Sequence, residues 1–223
     1  RMEPEPRSRC FYLFWGSGLA LGVWVLNQPN PGGLCLPMLT VLKSGVLVLA
    51  ATAVGAVLAR YIRRLWEILP ICLVMALADF ASWFSGPTAG FSRAIEQYYR
   101  APEGPPPLID MVLVKLAFPA PVGLAPVFGI SDWIMVVFFA VVASRHGVND
   151  NLLGSTGRAL AQQGRFGRYL PVSAAALLGA VLLAQGTGMF LPALPIIALI
   201  VLLWYAGWYL LMRRKSPTQE AGR

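Results

Sequence analysis

Apolar runs of about 18 residues or more, divided by short clusters of basic residues, restrict this chain to helices packed in a bilayer. A soluble domain cannot hide so much apolar surface. Of its 223 residues 57% are hydrophobic and 13% charged, and mean hydropathy is +0.64, so charged groups are too few to cover it. The net charge of +8 bears on topology first. The Arg and Lys residues stand in short groups between apolar runs, as in membrane proteins, so the lipid bilayer is the expected partner and nucleic acid is not. Cys10, Cys35 and Cys72 are widely separated, form no CxxC and lie away from His146. No disulfide, metal site or cofactor is expected from them. Arg1, ahead of Met2, reads as an appended residue and is set aside. The run 11–26 follows basic residues as a signal peptide would, but Asn27 to Gly33 offers no small-x-small cleavage site, so it reads as a retained first helix.

The apolar runs predict helices at 11–26, 35–59, 66–84, 127–143, 169–187 and 190–212, an all-α polytopic bundle of about six transmembrane helices forming a single membrane domain over 1–223. Gly18 with Gly22, and Ala51 with Gly55 and Ala59, put small residues at helical spacing where neighbouring helices can approach closely. Basic residues orient the bundle. Arg7 and Arg9 precede the first helix; Arg60, Arg63 and Arg64 separate the second and third; Arg145, Arg158, Arg165 and Arg168 separate the fourth and fifth; Arg213, Arg214 and Lys215 follow the sixth. All these segments fall on one side, so an integral multi-pass protein with both termini cytoplasmic is expected.

The long loop 85–126 is expected on the other side. Its Pro102-Glu103-Gly104-Pro105-Pro106-Pro107 cannot be regular helix. Met111 to Phe118 is rich in strand-forming residues and too short to span, so a short strand or re-entrant segment is expected before the fourth helix.

Ten acidic residues occur. Glu3, Glu5, Glu96, Glu103, Asp110, Asp150 and Glu220 fall in tails or loops, and Glu67 lies at a helix mouth beside Arg63 and Arg64. The two left over, Asp79 and Asp132, sit deep in apolar segments. A carboxylate there costs at least about 2.5–3.5 kcal/mol, so it ordinarily faces a cavity and serves a function. Burial alone is equally compatible with a protease, a proton or cation transporter, and a structural pair sharing a proton. A transporter tends to show internal repeats or paired broken helices, and neither is visible. Both aspartates lie toward the non-cytoplasmic ends of antiparallel helices and are expected to face each other. Two carboxyls at close range share one proton, which equips one to take a proton from water and the other to protonate a scissile carbonyl.

Three motifs beside these acids resemble, in order, those of the GxGD intramembrane aspartyl proteases, the family of presenilin and signal peptide peptidase. Ala78-Asp79 followed by Ser85-Gly86-Pro87 looks like the family's Tyr-Asp helix and downstream Gly-Pro. Gly129-Ile130-Ser131-Asp132 looks like GxGD, preceded by a Lys-Leu pair at Lys115-Leu116. Pro192-Ala193-Leu194, followed by Pro195, matches the PAL motif at the start of the last helix. The resemblance covers residues 66–212 and implies a catalytic pair at Asp79 and Asp132. It implies that Gly129, Ser131, Lys115, Leu116, Pro192, Ala193, Leu194 and Pro195 support the site and the substrate. Ala78 stands for the family's tyrosine and Ser131 for its second glycine. Those changes favour the alternative, a weak or inactive homologue acting as a membrane binding or ion-leak module. Six helices in place of nine resemble a reduced homologue. Signal peptide peptidase runs its aspartate helices in the sense predicted here and presenilin in the opposite one, so the implied substrates are type II transmembrane segments or signal-peptide remnants.

Met111 to Phe118 is a candidate edge for an unwound substrate to join as a strand. Lys43 is expected to snorkel to the outer interface, His146 to be a solvated interfacial residue, and Trp15, Trp24, Trp66, Trp204 and Trp208 to form interfacial belts. No HExxH or Gly-x-Ser-x-Gly occurs, which removes metallo- and serine-type alternatives.

Overall fold

The computed structural model describes residues 9–26, 35–101, 107–117, 124–164, 166–187 and 192–215. Its helices are α1 (Arg9–Leu26), α2 (Cys35–Leu58), α3 (Ile68–Ser85), α4 (Pro87–Arg100), α5 (Ile130–His146), α6 (Gly157–Gln162), α7 (Val172–Thr187) and α8 (Ala193–Lys215). Two strands, β1 (Leu113–Ala117) and β2 (Leu124–Gly129), pair antiparallel. Among the described residues, Leu39–Tyr61, Leu65–Phe84 and Ala193–Leu211 are long and apolar enough to cross a bilayer, while Cys10–Gly22 and Val172–Ala184 are apolar but shorter. The protein is thus a largely helical membrane protein. Three of the expected spans carry the length and hydropathy unaided.

Helix α2 packs on α1 and α5, α5 on α7, and α8 on α7, α5 and α3, with α4 against α3. The buried face of α3 follows helical spacing through Ile68, Cys72 and Met75 to Asp79, while Leu69, Leu73, Val74 and Leu77 stay exposed as a lipid-facing surface. Phe139 and Val142 of α5, Leu177 of α7, and Ile197 and Val201 of α8 meet that face in one core. In lipid, packing and interhelical hydrogen bonds must hold helices together. Ser173 Oγ of α7 donates to the Val136 carbonyl over 3.0 Å. The Tyr205 hydroxyl of α8 donates to the Phe139 carbonyl at the same distance, 3.0 Å.

The small-residue spacing in α2 does what it was expected to do. Ala51 and Ala59 are fully buried, and a Cβ on Gly55 would lie 2.5 Å from the Ile134 carbonyl oxygen of α5. Gly18 and Gly22 of α1, by contrast, face open space. Gly55→Val therefore forces α2 from α5 and is expected to cost about 1–3 kcal/mol as overpacking does. Thermal unfolding in detergent checks this, with Gly18→Val as the neutral control.

The span expected as one long loop, 85–126, is more ordered than its sequence implied. Helix α4 occupies its first part, entered through Gly86 and Pro87, with proline in the first turn where no donor is lost. The strand expected at 111–118 is present as β1. The fourth predicted helix begins at Ile130 and not at 127, because 124–129 is taken by β2. The uncharged loop at 27–33, the proline run at 102–106 and residues 188–191 of the hinge lie outside the described residues.

Two acids assigned to loops from the sequence are buried. Asp110, 4% exposed, takes a hydrogen bond from Lys115 Nζ at 2.5 Å. Lys43 of α2 lies near enough for its charge to be repelled by Lys115 and attracted by Asp110. Asp150, also 4% exposed, accepts from the Tyr169 hydroxyl at 2.7 Å. His146 is partly buried and its Nε2 is enclosed without a hydrogen-bond partner among the described residues, contrary to the solvated position expected. The loop around Asp150 is ordered by Asn151, whose amide donates to the Ser155 and Arg168 carbonyls and accepts from the Leu153 and Leu170 amides. Trp204 Nε1 donates to the Asn149 carbonyl over 2.8 Å, tying that loop to α8.

Burial pushes the Asp150 carboxyl above its ordinary 3.8, and the Tyr169 hydroxyl, which favours the ionised form, pulls it part of the way back. The folded carboxyl holds its proton to higher pH than the unfolded one. Its contribution to stability is greatest below the unfolded value and declines as pH rises through the folded value. Tyr169→Phe removes the donor and raises the folded value further. The variant is expected to lose about 1–3 kcal/mol near neutral pH and clearly less at about pH 3, below the unfolded value, where both states are largely protonated. Thermal unfolding at the two pH values measures the difference.

Candidate active site

Helix α3 carries Asp79 on the stripe that faces α8, one helical step beyond Met75. Its carboxyl is half-buried. Asp132 arises where β2 turns into α5. Gly129 closes the strand with extended backbone (φ −78°, ψ 158°) and caps the helix, and Asp132 in the first turn reaches back. Its Oδ2 accepts from the Gly129 N–H at 3.0 Å, the reciprocal half of a capping box. The junction is braced from the side. Phe128 and Trp133 stack with centroids 6.0 Å apart, and Trp133 Nε1 donates to Thr52 Oγ1 of α2 at 3.0 Å. Asp132 is thereby held on a fixed turn rather than on a free loop.

The third part is the start of α8. Pro192 precedes the helix, Ala193 opens it, and Pro195 lies in the first turn, where a missing backbone donor costs nothing. The Leu194 N–H is one of the donors that a helix leaves unpaired at its N-terminus. It lies close enough to the Asp79 carboxyl to act on it electrostatically. The Asp79 and Asp132 carboxyls are close enough for their charges to interact. Ala193 and Leu194 also pack against the common core, fixing the backbone that supplies the donor.

Three separated sequence segments therefore meet at one end of the bundle: Asp79 from α3, Gly129 to Asp132 from the β2–α5 turn, and Leu194 from the α8 start. The Asp132 carboxyl takes a hydrogen bond from the Gly129 N–H at the start of α5, and the Asp79 carboxyl lies near the start of α8, both places where the macrodipole favours negative charge. Such an arrangement can hold one proton between two carboxyls and present it to a reactant. Helix α8 packs against both α3 and α5 and brings its first turn to the site beside the two carboxyls.

Lys115 and Leu116 are not brought to the carboxyls in this way. In β1, Lys115 pairs with Pro126 and Leu116 with Ala125, and Lys115 is turned to Asp110, with its N–H donating to Ser44 Oγ at 3.1 Å. The side chain of Leu116 lies outside the described residues. Leu113, not Lys115, stands opposite Gly129. Ser131 is exposed beside Asp132, and Ala78 is exposed on α3. Thr52 and Trp133, which brace the Asp132 turn, carried no signal in the sequence. No cluster of three or more His, Cys, Asp or Glu able to hold a metal occurs among the described residues.

Comparison with family models, with characterised proteins and with solved structures finds no match to this chain. The functional reading stands on the chemistry of the site.

Proposed function

We propose that the protein is an intramembrane aspartyl protease that hydrolyses peptide bonds within transmembrane segments. The observation that carries this reading is the convergence of Asp79, Asp132 and the Leu194 N–H at one end of a bundle whose outer faces are apolar. In this reading α1, α2, α3, α5, α7 and α8 all span, both termini and the 147–171 loop are cytoplasmic, and α4 and the β1–β2 pair lie on the opposite side.

Water supplies the nucleophile. The ionised carboxyl takes a proton as water oxygen bonds to the scissile carbonyl carbon, and the protonated carboxyl gives its proton to the carbonyl oxygen. A gem-diol results, with no covalent enzyme intermediate. The C–N bond then breaks, its electron pair leaving on nitrogen, which takes up a proton from the pair. A helix hides its peptide bonds, so substrate must unwind; with β1 engaged by Ser44 of α2, β2 is the strand on which an extended segment can dock. The orientation favours type II transmembrane segments or signal-peptide remnants. Reconstituted protein tested on a transmembrane peptide, with Asp79→Ala and Asp132→Ala as controls, decides the matter: cleavage surviving either change would sink the dyad.

A further inference from the structure

Ser131 is the second residue of α5, its side chain is exposed, and its hydroxyl makes no hydrogen bond to another described residue. It is not aimed at random. A Cβ placed on Gly129 would lie 3.3 Å from Ser131 Oγ and 3.5 Å from Asp132 Oδ2. Both oxygens lie on the same side of Gly129, so the hydroxyl and the Asp132 carboxyl face a common region. An exposed hydroxyl with no partner of its own is free to donate to a reactant held at the carboxyls.

From this geometry we infer that Ser131 donates a hydrogen bond to the scissile carbonyl oxygen as water adds to its carbon. The role rests on the protease reading and deepens it. As the oxygen–carbon bond forms, the carbonyl π pair moves to oxygen and charge builds there until a carboxyl delivers its proton. Ser131 keeps its own proton throughout and stabilises that charge, as a preorganised donor should.

Three substitutions separate this role from a steric one. Ser131→Ala keeps the Cβ and removes the hydroxyl, Ser131→Gly removes both, and Ser131→Thr keeps the hydroxyl. On a reconstituted transmembrane peptide, Ala and Gly are expected to lower kcat about ten- to a hundredfold with KM changed less than about twofold, while Thr retains most of the activity. Thermal unfolding in detergent confirms that each variant is folded. Wild-type kcat in Ala or Gly, a change confined to KM, or equal loss in Thr overturns the role while leaving the dyad standing. Should wild type not cleave, binding of a peptide carrying a hydroxyethylene isostere decides: tighter binding by wild type than by Ser131→Ala upholds the contact, and equal binding overturns it. A wild type that neither cleaves nor binds that peptide overturns the protease reading and this role together.

Discussion

Asp79→Asn and Asp132→Asn each reduce cleavage of a reconstituted transmembrane peptide by at least about 10²–10⁴-fold, the contribution expected of a positioned general acid or base. Asparagine matches the shape of aspartate, so packing on the α3 stripe and the backbone contacts from Gly129 and Leu194 are least disturbed. What it cannot do is accept and return a proton. The two variants should fail alike, because one shared proton needs both carboxyls, and the double variant should be little worse than either single one. Unfolding temperatures near wild type would tie the loss to chemistry. Removing an acid from lipid leaves a structural pair as stable or more so, whereas only a catalytic pair loses turnover.

Leu194→Pro is the second large effect. It deletes the backbone N–H that bears on the Asp79 carboxyl, at a place in the first turn of α8 where proline is otherwise tolerated. A hydrogen bond to a charged group contributes about 1.5–3 kcal/mol. A loss of about 10- to 150-fold in kcat/KM is therefore expected. Leu194→Ala shortens the side chain comparably but keeps the N–H, so the ratio of the two variants isolates the backbone donor from packing against the core. Equal activity in Pro and Ala would remove Leu194 from the site.

Much of this site was legible in the sequence because charge in an apolar run is conspicuous. Asp79 and Asp132 stood out on that ground, and the PAL segment stood out through resemblance alone. The contribution of Leu194 was hidden, since it acts through a backbone N–H that any residue but proline carries. Helix α4 was read as loop because its 14 residues include Arg93, Glu96 and Arg100 and lie between Gly86-Pro87 and the proline run. Strand β2 was read as the start of the next helix because Val127 and Phe128 continue the apolar run, and hydrophobicity over so short a stretch does not separate strand from helix. Asp110 and Asp150 looked solvated for a different reason. Their burial depends on Lys115 and on Tyr169, the latter 19 residues away, and nothing local marks either pair. The close approach of α2 and α5 at Gly55 was readable from four-residue spacing, yet the same spacing at Gly18 and Gly22 meets nothing, since a small residue permits a neighbour without supplying one.

The most direct test of the central claim is mass spectrometry of a transmembrane peptide incubated with wild-type protein in proteoliposomes made in ¹⁸O-labelled water. The account predicts cleavage of a peptide bond inside the membrane-spanning segment, with one solvent oxygen in the new terminal carboxylate, lost in Asp79→Asn and Asp132→Asn. An intact peptide in proteoliposomes that conduct ions, with conduction abolished by the same two substitutions, would contradict it and assign the carboxyl pair to a leak.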